Sequence, residues 1–357
     1  MDSTEKKKLW IFIAVAYGIT AFMSIFMFIG LRKEIDTTAF VNVQMMYPAC
    51  GVILGKLITR KEGEKLPMGG YITTLVTTAI MMVCAFLSLF IRLDTIVLSD
   101  AGAGQMDPWN LYSQLYLIFG SVVAYVFFWV CGKEAAENAG IRRKNIKMSI
   151  IMIVVFIMLY LGRTFGSIFV TDLVNGNSAN WDAIKKAFLM PITYVTAISL
   201  PINFFFVFLA FFGEEYGWRY YLQPVMMNKF GKRLGVVLLG LVWAVWHINV
   251  DFMYYTHETP VQMFVGQIVT CLSIGVFFGY AYMKTQNIWV PVIMHFINNN
   301  LVAVFAGGDT TVLTNQSISW IDIPIHLVTS ILFFAFILAP AFSKKNDAKK
   351  ENGIEVR

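Results

Sequence analysis

Two adjacent carboxylates and an arginine interrupt an otherwise apolar stretch of the chain. Glu214, Glu215 and Arg219 follow residues 203–212, which are almost wholly apolar. On a helix, Glu215 and Arg219 share a face, whereas Glu214 points about 100° away. We therefore expect the arginine to neutralise Glu215 and to leave Glu214 without a cation. A carboxylate near apolar walls suits a general base or acid at neutral pH, and an acid at membrane depth indicates a functional site.

Two histidines lie in later apolar segments. His247 follows Trp243 by one helical turn, and His295 precedes Asn299 by one turn, so that each pair shares a helix face. Counted at ~1.5 Å per residue from the basic ends of their helices, Glu214, His247 and His295 lie about 18, 20 and 10 Å deep. Each motif alone is also explained by structural hydrogen bonds or by a helix end. Their combination favours a site at which the three side chains meet.

The composition is that of an integral membrane protein. The 357 residues are 57% hydrophobic and 14% charged, whereas soluble domains carry about 25% charged residues. The net charge of +6 comes from short loops, which indicates membrane topology and not nucleic-acid binding. The cysteines indicate small buried hydrophobic residues, with no disulfide framework and no zinc knuckle.

About ten apolar segments are present, each compared with the ~20 residues that cross ~30 Å of hydrocarbon. The predicted fold class is an all-α, polytopic transmembrane bundle of about ten spans. An eight-span version, with two segments lying at the interface, is the alternative. The segments cover residues 9–31, 38–59, 71–91, 111–131, 148–170, 190–212, 234–250, 262–283, 288–306 and 322–342.

The charges between these segments alternate in sign along the chain. Under the positive-inside rule this pattern places both termini in the cytoplasm, and we expect a multi-pass protein of a bacterial cell membrane. The basic positions are Lys6, Lys7, Lys8, Arg60, Lys61, Lys65, Lys133, Arg142, Arg143, Lys144, Lys147, Lys229, Lys232, Arg233, Lys284, Lys344, Lys345, Lys349 and Lys350. The intervening acidic positions are Asp94, Asp100, Asp107, Asp251, Glu258 and Asp309.

Polar residues inside apolar segments are concentrated in the second half of the chain, and on this basis we divide the chain into four segments. We expect N-terminal transmembrane helices of unassigned role over 1–189, a functional core over 190–310, a last transmembrane helix over 311–342 and a polar cytoplasmic tail over 343–357. Arg163 is the exception in the first part. It lies late in the fifth span, where it is expected to reach the interface or pair with an acid.

Together these motifs resemble the CPBP family of intramembrane proteases, also called the CAAX-protease or Abi family. The family pattern is EExxxR, FxxxH and HxxxN. In this sequence Glu214, Glu215 and Arg219 match the first motif, His247 the second, and His295 with Asn299 the third. Trp243 stands where phenylalanine is usual, a departure expected to affect pocket shape more than chemistry. The resemblance covers about residues 190–305.

The resemblance implies a helical intramembrane peptidase with a cavity open to the cytoplasm. It implies that Glu214 activates a water molecule with His247, and that His295 and Asn299 stabilise the oxyanion. Glu215 and Arg219 match supporting positions, as does Trp243. A metal-free mechanism is favoured. Zinc, held by Glu214, His247 and His295, is the alternative, although the HExxH motif of familiar zinc peptidases is absent.

The predicted function is therefore hydrolysis of a peptide bond by a glutamate-activated water. The expected partners are the lipid bilayer and a membrane-associated substrate, namely a prenylated, lipidated or hydrophobic leader-type peptide. Two other classes are alternatives: a polytopic transporter, and a catalytically silent bacteriocin-immunity protein of the same fold. Internal repeats are common in transporters, and the sequence has no visible repeat.

Overall fold

The computed structural model describes residues 1–97, 105–309, 312, 314 and 316–343. Within these ranges the chain is a helix bundle, which confirms the all-α class. The one exception there is an antiparallel ladder of two-residue strands, β1 with β2. Asp100 and the tail beyond residue 343 lie outside the described residues. The elements are α1 Ser3–Ile13, a π-helical turn Ala14–Ile19, α2 Thr20–Arg32, α3 Thr38–Gln44, α4 Tyr47–Ile58, α5 Met68–Leu87, β1 Ile96–Val97, β2 Gln105–Met106, α6 Pro108–Val130, α7 Lys133–Asn138, α8 Ile146–Asn175, α9 Ala179–Phe188, α10 Pro191–Glu215, a π-helical segment Tyr216–Leu222, α11 Gln223–Phe230, α12 Lys232–Trp246, α13 Ile248–Met253, α14 Pro260–Thr285, α15 Trp289–Phe305, α16 Asp322–Phe334, a 3-10 turn Ala335–Leu338 and α17 Pro340–Ser343.

Eight helical stretches in the described part of the chain are long and apolar enough to cross a membrane. Two shorter apolar helices, Trp289–Phe305 and Asp322–Leu338, account for the ninth and tenth predicted segments. The protein is therefore an integral, multi-pass membrane protein. Its helices begin and end at recognisable signals. For example, the Asp107 side chain accepts hydrogen bonds from Trp109 N and Asn110 N at the start of α6.

The basic loops assemble at one end of the bundle. Asn138 links two of them, because its carbonyl oxygen accepts from Lys56 Nζ at 2.8 Å and its Nδ2 donates to Lys65 O at 3.0 Å. Asn145 Nδ2 donates to Thr285 O at 2.9 Å, and this bond places the loop after α14 at the same end of the bundle. We call this side of the molecule the basic end.

The remaining loops meet at the other end, here called the opposite end. Gln316 N donates to Tyr255 O at 2.7 Å, and Ile318 N donates to Thr259 Oγ1 at 3.0 Å. These bonds join the loop before α14 to the loop before α16. One sequence expectation is corrected here: Asp251 lies in α13 and is completely buried, so it does not contribute a loop charge.

Helices from the first half of the chain pack directly on the second half. Tyr216 OH donates to Ala139 O at 2.7 Å, and Tyr71 OH, also 2.7 Å away, is left to donate to Tyr216. Trp246 Nε1 donates to Ala16 O at 2.8 Å. A backbone carbonyl can only accept, so these bonds have a single possible direction. The centre of the bundle is therefore shared between the two halves.

Candidate active site

The first motif lies where α10 passes into the π-helical segment. Glu214 and Glu215 are the last two residues of α10, and Arg219 lies within Tyr216–Leu222. The glycines on either side allow a close helix contact. A Cβ on Gly213 would overlap Met45 O, and one on Gly217 would overlap Pro48 Cβ. The absence of side chains at these two positions brings the acids against α3 and α4.

Glu215 joins two cationic or potentially cationic partners. Its Oε2 accepts from Arg219 Nε at 2.9 Å, and its Oε1 lies 2.9 Å from His295 Nδ1. Glu215 and Arg219 are both completely buried. The guanidinium lies over the Trp243 ring at 4.7 Å and the Phe278 ring at 5.5 Å. The expected pair of Glu215 with Arg219 is thus present, and His295 extends it.

Glu214 has different partners. Its Oε2 accepts from Trp243 Nε1 at 2.8 Å and from Trp218 Nε1 at 3.4 Å. In the described part of the chain no residue donates a hydrogen bond to its Oε1, and no cation lies within ion-pair distance of it. Trp243 therefore does more than shape the pocket, because a phenylalanine at this position has no N–H to donate.

His247 lies at the junction of α12 and α13, and its orientation is set by the backbone. Its Nδ1 is 2.9 Å from Trp243 O. A carbonyl oxygen only accepts, so Nδ1 carries the proton and Nε2 of the neutral ring carries the lone pair. The Trp243 ring centroid is 5.8 Å from the His247 ring and 5.6 Å from the His295 ring. Both histidines also interact electrostatically with Glu214.

Asn299 is held by a chain of hydrogen bonds that begins at the Arg163 guanidinium and passes through the Asn298 amide. Arg163 Nη2 donates to Asn298 Oδ1 at 3.3 Å, and Asn298 Nδ2 donates to Asn299 Oδ1 at 2.9 Å. Arginine has no acceptor, so the order of donors is fixed and Asn299 Nδ2 remains as a donor. Among the described residues Arg163 pairs with no acid, which differs from one of the two expectations for it. Its guanidinium contacts Asn298 and lies 5.0 Å from the Tyr160 ring.

These residues line one polar cavity of about 780 Å³. Trp243, His247, His295 and Asn299 form its inner wall, and Glu214 lies behind Trp243. Apart from Arg163, the other polar lining residues were not predicted from the sequence. Helical spacing from His295 pointed to Asn299, but no such signal marked the rest, which come from separate helices and loops. They include Tyr160, Arg163, Tyr255, Thr270, Asn298 and His326.

Tyr255 lies outside the membrane-spanning segments, close to the acids. Burial raises the pKa of its phenol well above the usual value, and the charges of Asp251 and Glu214 add to this effect. Tyr255 therefore faces the cavity as a neutral hydroxyl that can donate or accept.

No group of three or more His, Cys, Asp or Glu side chains in the described ranges could hold a metal ion. The zinc set of Glu214, His247 and His295 is therefore not assembled in this conformation. Glu215, not Glu214, contacts His295, and Glu214 is occupied by indole donors. Metal dependence of the reaction stays a prediction to be tested.

The cavity extends from the histidines toward the opposite end of the bundle. Its outer lining includes Thr171, Asn180, Tyr255, Ser317 and Asp322, which lie at the ends of helices or in loops on that side. With the basic loops in the cytoplasm, that end faces the other side of the membrane. The cytoplasmic opening implied by the family resemblance and the topology predicted from charge therefore disagree.

Comparison with known proteins supports the resemblance drawn from the motifs. Residues 196–301 match the family described as type II CAAX prenyl endopeptidase Rce1-like. This range contains all three motifs. Neither the curated proteins nor the solved structures gave a match to the chain. The similarity to Rce1-like CAAX endopeptidases is therefore shown for residues 196–301, the part of the chain that carries the motifs.

Proposed function

We propose that the protein is an intramembrane endopeptidase of a bacterial cell membrane, with its catalytic core in residues 190–310. Its substrate is a membrane-associated peptide of the prenylated, lipidated or hydrophobic leader type. The matched residues belong to a protease family, which supports a CAAX-type endopeptidase. The transporter and immunity-protein alternatives are not favoured by that match.

One observation carries the proposal: two adjacent acids have separate partners. Glu215 is bonded to Arg219 and His295, whereas Glu214 has indole donors and no cation within ion-pair distance among the described residues. A carboxylate in a salt bridge is a poor base because the cation stabilises its charge. Glu214 is therefore the acid that can accept a proton during the reaction.

We assign the water activation to Glu214 and His247. Glu214 Oε1 takes a proton from a water molecule that is oriented by His247 Nε2, and the oxygen attacks the carbonyl carbon of the peptide bond. Because Glu214 lies behind the Trp243 indole, this water occupies the inner edge of the cavity. When the C–N bond breaks, the proton passes from Glu214 to the leaving amine, so that a carboxylate and an amine are formed.

The developing oxyanion is assigned to Asn299 and His295. Asn299 Oδ1 is occupied by Asn298, and Asn299 Nδ2 bonds to no acceptor among the described residues, so that it can donate to the oxyanion. His295 can donate from Nε2 when its ring is doubly protonated, with Glu215 at Nδ1. In that state Glu214, Glu215, Arg219 and His295 carry no net charge, which limits the cost of burying four ionisable groups. Donors fixed in this way are typically worth 10²–10³ in rate.

The test uses purified full-length protein and a library of fluorogenic peptides, with and without a prenyl group. We expect cleavage by the wild type, a loss of at least about 100-fold for Glu214→Gln and for His247→Ala, and wild-type rates for the exposed control Glu258→Gln. Cleavage that survives both site substitutions would overturn the assignment. Solute transport without cleavage would favour the transporter alternative. Exhaustive chelation is expected to leave activity intact, and loss that zinc restores would overturn the metal-free steps.

A further inference from the structure

The polar cavity is directed away from the basic end. On α8 the lining residues continue outward from Arg163 through Ser167 and Thr171, toward the end of this helix at Asn175. Since α8 begins beside the basic loop at Ile146, these positions lie on its far half. The cavity then passes Asn180 in α9 and Asp322 at the start of α16, both at the opposite end.

A layer of aromatic rings separates the basic end from the acids. Trp218, which is completely buried, meets Phe12 edge-on at a centroid distance of 5.7 Å, and Phe12 meets Tyr221 at 5.1 Å. A second groove of about 690 Å³ lies on the basic side of this layer, with Lys8, Lys229 and Tyr221 in its lining. It includes none of the histidines or acids of the site. The two spaces are therefore distinct.

The charges of the two ends differ strongly. At the opposite end, the basic residues among the described helix ends and loops are Arg32, Lys33, Arg92, Lys185 and Lys186. The basic end has three times as many, namely Lys6, Lys7, Lys8, Arg60, Lys61, Lys65, Lys133, Arg142, Arg143, Lys144, Lys147, Lys229, Lys232, Arg233 and Lys284. Short loops rich in lysine and arginine stay in the cytoplasm.

We propose that the substrate enters from the extracytoplasmic side of the membrane. This inference rests on the proposed peptidase function and narrows its substrate class. The substrate is a hydrophobic peptide whose scissile segment is exposed outside the cytoplasm, either during export or after it. A lipidated chain end that is presented from the cytoplasm is not the expected substrate, because the aromatic layer lies between the basic end and the acids.

The orientation can be measured without any catalysis. In a chain whose four cysteines are replaced by alanine, Ser178→Cys marks the opposite end, two residues before the lining residue Asn180, and Lys61→Cys marks the basic end. Both positions are exposed. A membrane-impermeant maleimide added to intact bacteria is expected to label Ser178→Cys directly, and Lys61→Cys only after permeabilisation. The reverse pattern overturns the proposal.

A second measurement leaves the native cysteines in place. Phe342 of α17 packs beside Val236, near the start of α12 at the basic end. Green fluorescent protein fused after Arg357 should therefore fluoresce in the bacterial cytoplasm. A dark fusion that an extracellular protease removes from intact cells contradicts the proposed orientation.

Membrane vesicles of known sidedness then test substrate entry. A membrane-impermeant fluorogenic peptide that is cleaved by the detergent-solubilised enzyme is added to right-side-out and inside-out vesicles. We expect at least tenfold faster cleavage in right-side-out vesicles, with Glu214→Gln as the inactive control. Faster cleavage in inside-out vesicles overturns the entry route. Absence of cleavage in detergent instead overturns the proposed function and leaves the labelling result intact.

Discussion

The helices before residue 145 and the helices after residue 190 meet along one interface and bring different groups to it. The later helices carry the acids, the histidines and Trp243 of the candidate site. The earlier helices present backbone oxygens, such as Met45 O, Ala16 O and Ala139 O, to glycine, tryptophan and tyrosine of the later ones. The half without motifs therefore determines where the residues of the motif-bearing half can lie.

Within the later half, two tryptophans on one helix show the same contrast. Trp243 donates to Glu214, and Trp246 donates to Ala16 O and Thr20 Oγ1 in the first half. The indole N–H of Trp243 therefore positions a residue of the site, whereas the indole N–H of Trp246 holds the helix against the first half of the chain. Substitutions that separate activity from stability can test this comparison.

The largest effect is expected at the glycine contact. In Gly213→Ala the new methyl group would overlap Met45 O and lie 2.9 Å from Met46 Cα, so backbone must move. Overpacking of this kind costs about 1–3 kcal/mol or more, and the adjacent acids move with it. We expect a lower melting temperature in detergent and loss of activity. Gly18→Ala is the control, since its Cβ would meet nothing within 4 Å. Equal stability of the two variants would contradict the proposed contact.

The next effect is expected from Trp243→Phe, which matches the usual family residue and removes one hydrogen bond to Glu214. Hydrogen bonds to charged groups contribute about 1.5–3 kcal/mol. Because this bond holds Glu214 in place, we expect kcat to fall by about tenfold or more. The overall structure of the protein should stay the same. Trp246→Phe should instead lower thermal stability and leave kcat near that of the wild type. The comparison fails if both substitutions affect only stability.

A smaller effect is expected from Asn298→Ala, which breaks the chain from Arg163 to Asn299. Asn299 itself remains, but its amide is no longer oriented. We expect kcat to fall about tenfold with little change in KM, because an oxyanion donor acts in the transition state. Asn300→Ala is the matched control, since Asn300 Nδ2 bonds only to Phe296 O of its own helix in the described structure. A change confined to KM would argue against this role.

The smallest effect is expected from Tyr71→Phe. This substitution removes one neutral hydrogen bond between the halves and leaves the rings in place. Such bonds contribute about 0.5–1.5 kcal/mol, so the melting temperature should fall slightly while kcat stays constant. Tyr116→Phe, at a position that is 43% exposed, should change neither quantity. A large loss of activity would mean that the first half contributes to the chemistry itself.

The sequence alone determined the class of protein and the local relations within each motif. Hydrophobic runs set by bilayer thickness predicted the spans, and the helical repeat predicted that Glu215 meets Arg219 while Glu214 does not. These properties depend on neighbours within one or two turns, so that they can be derived from spacing. The family match over residues 196–301 agrees with them.

The tertiary structure decided the contacts between helices and the direction of the cavity. Glu215 and His295 are 80 residues apart, and the Trp243 indole reaches Glu214 across 29 residues. The positions of Arg163 beside Asn298 and of Asp251 in the interior likewise differ from the sequence expectation. Helical spacing shows which side chains share a face, but the partner of that face depends on how the helices pack. For that reason the walls and opening of the site could not be derived from the motifs.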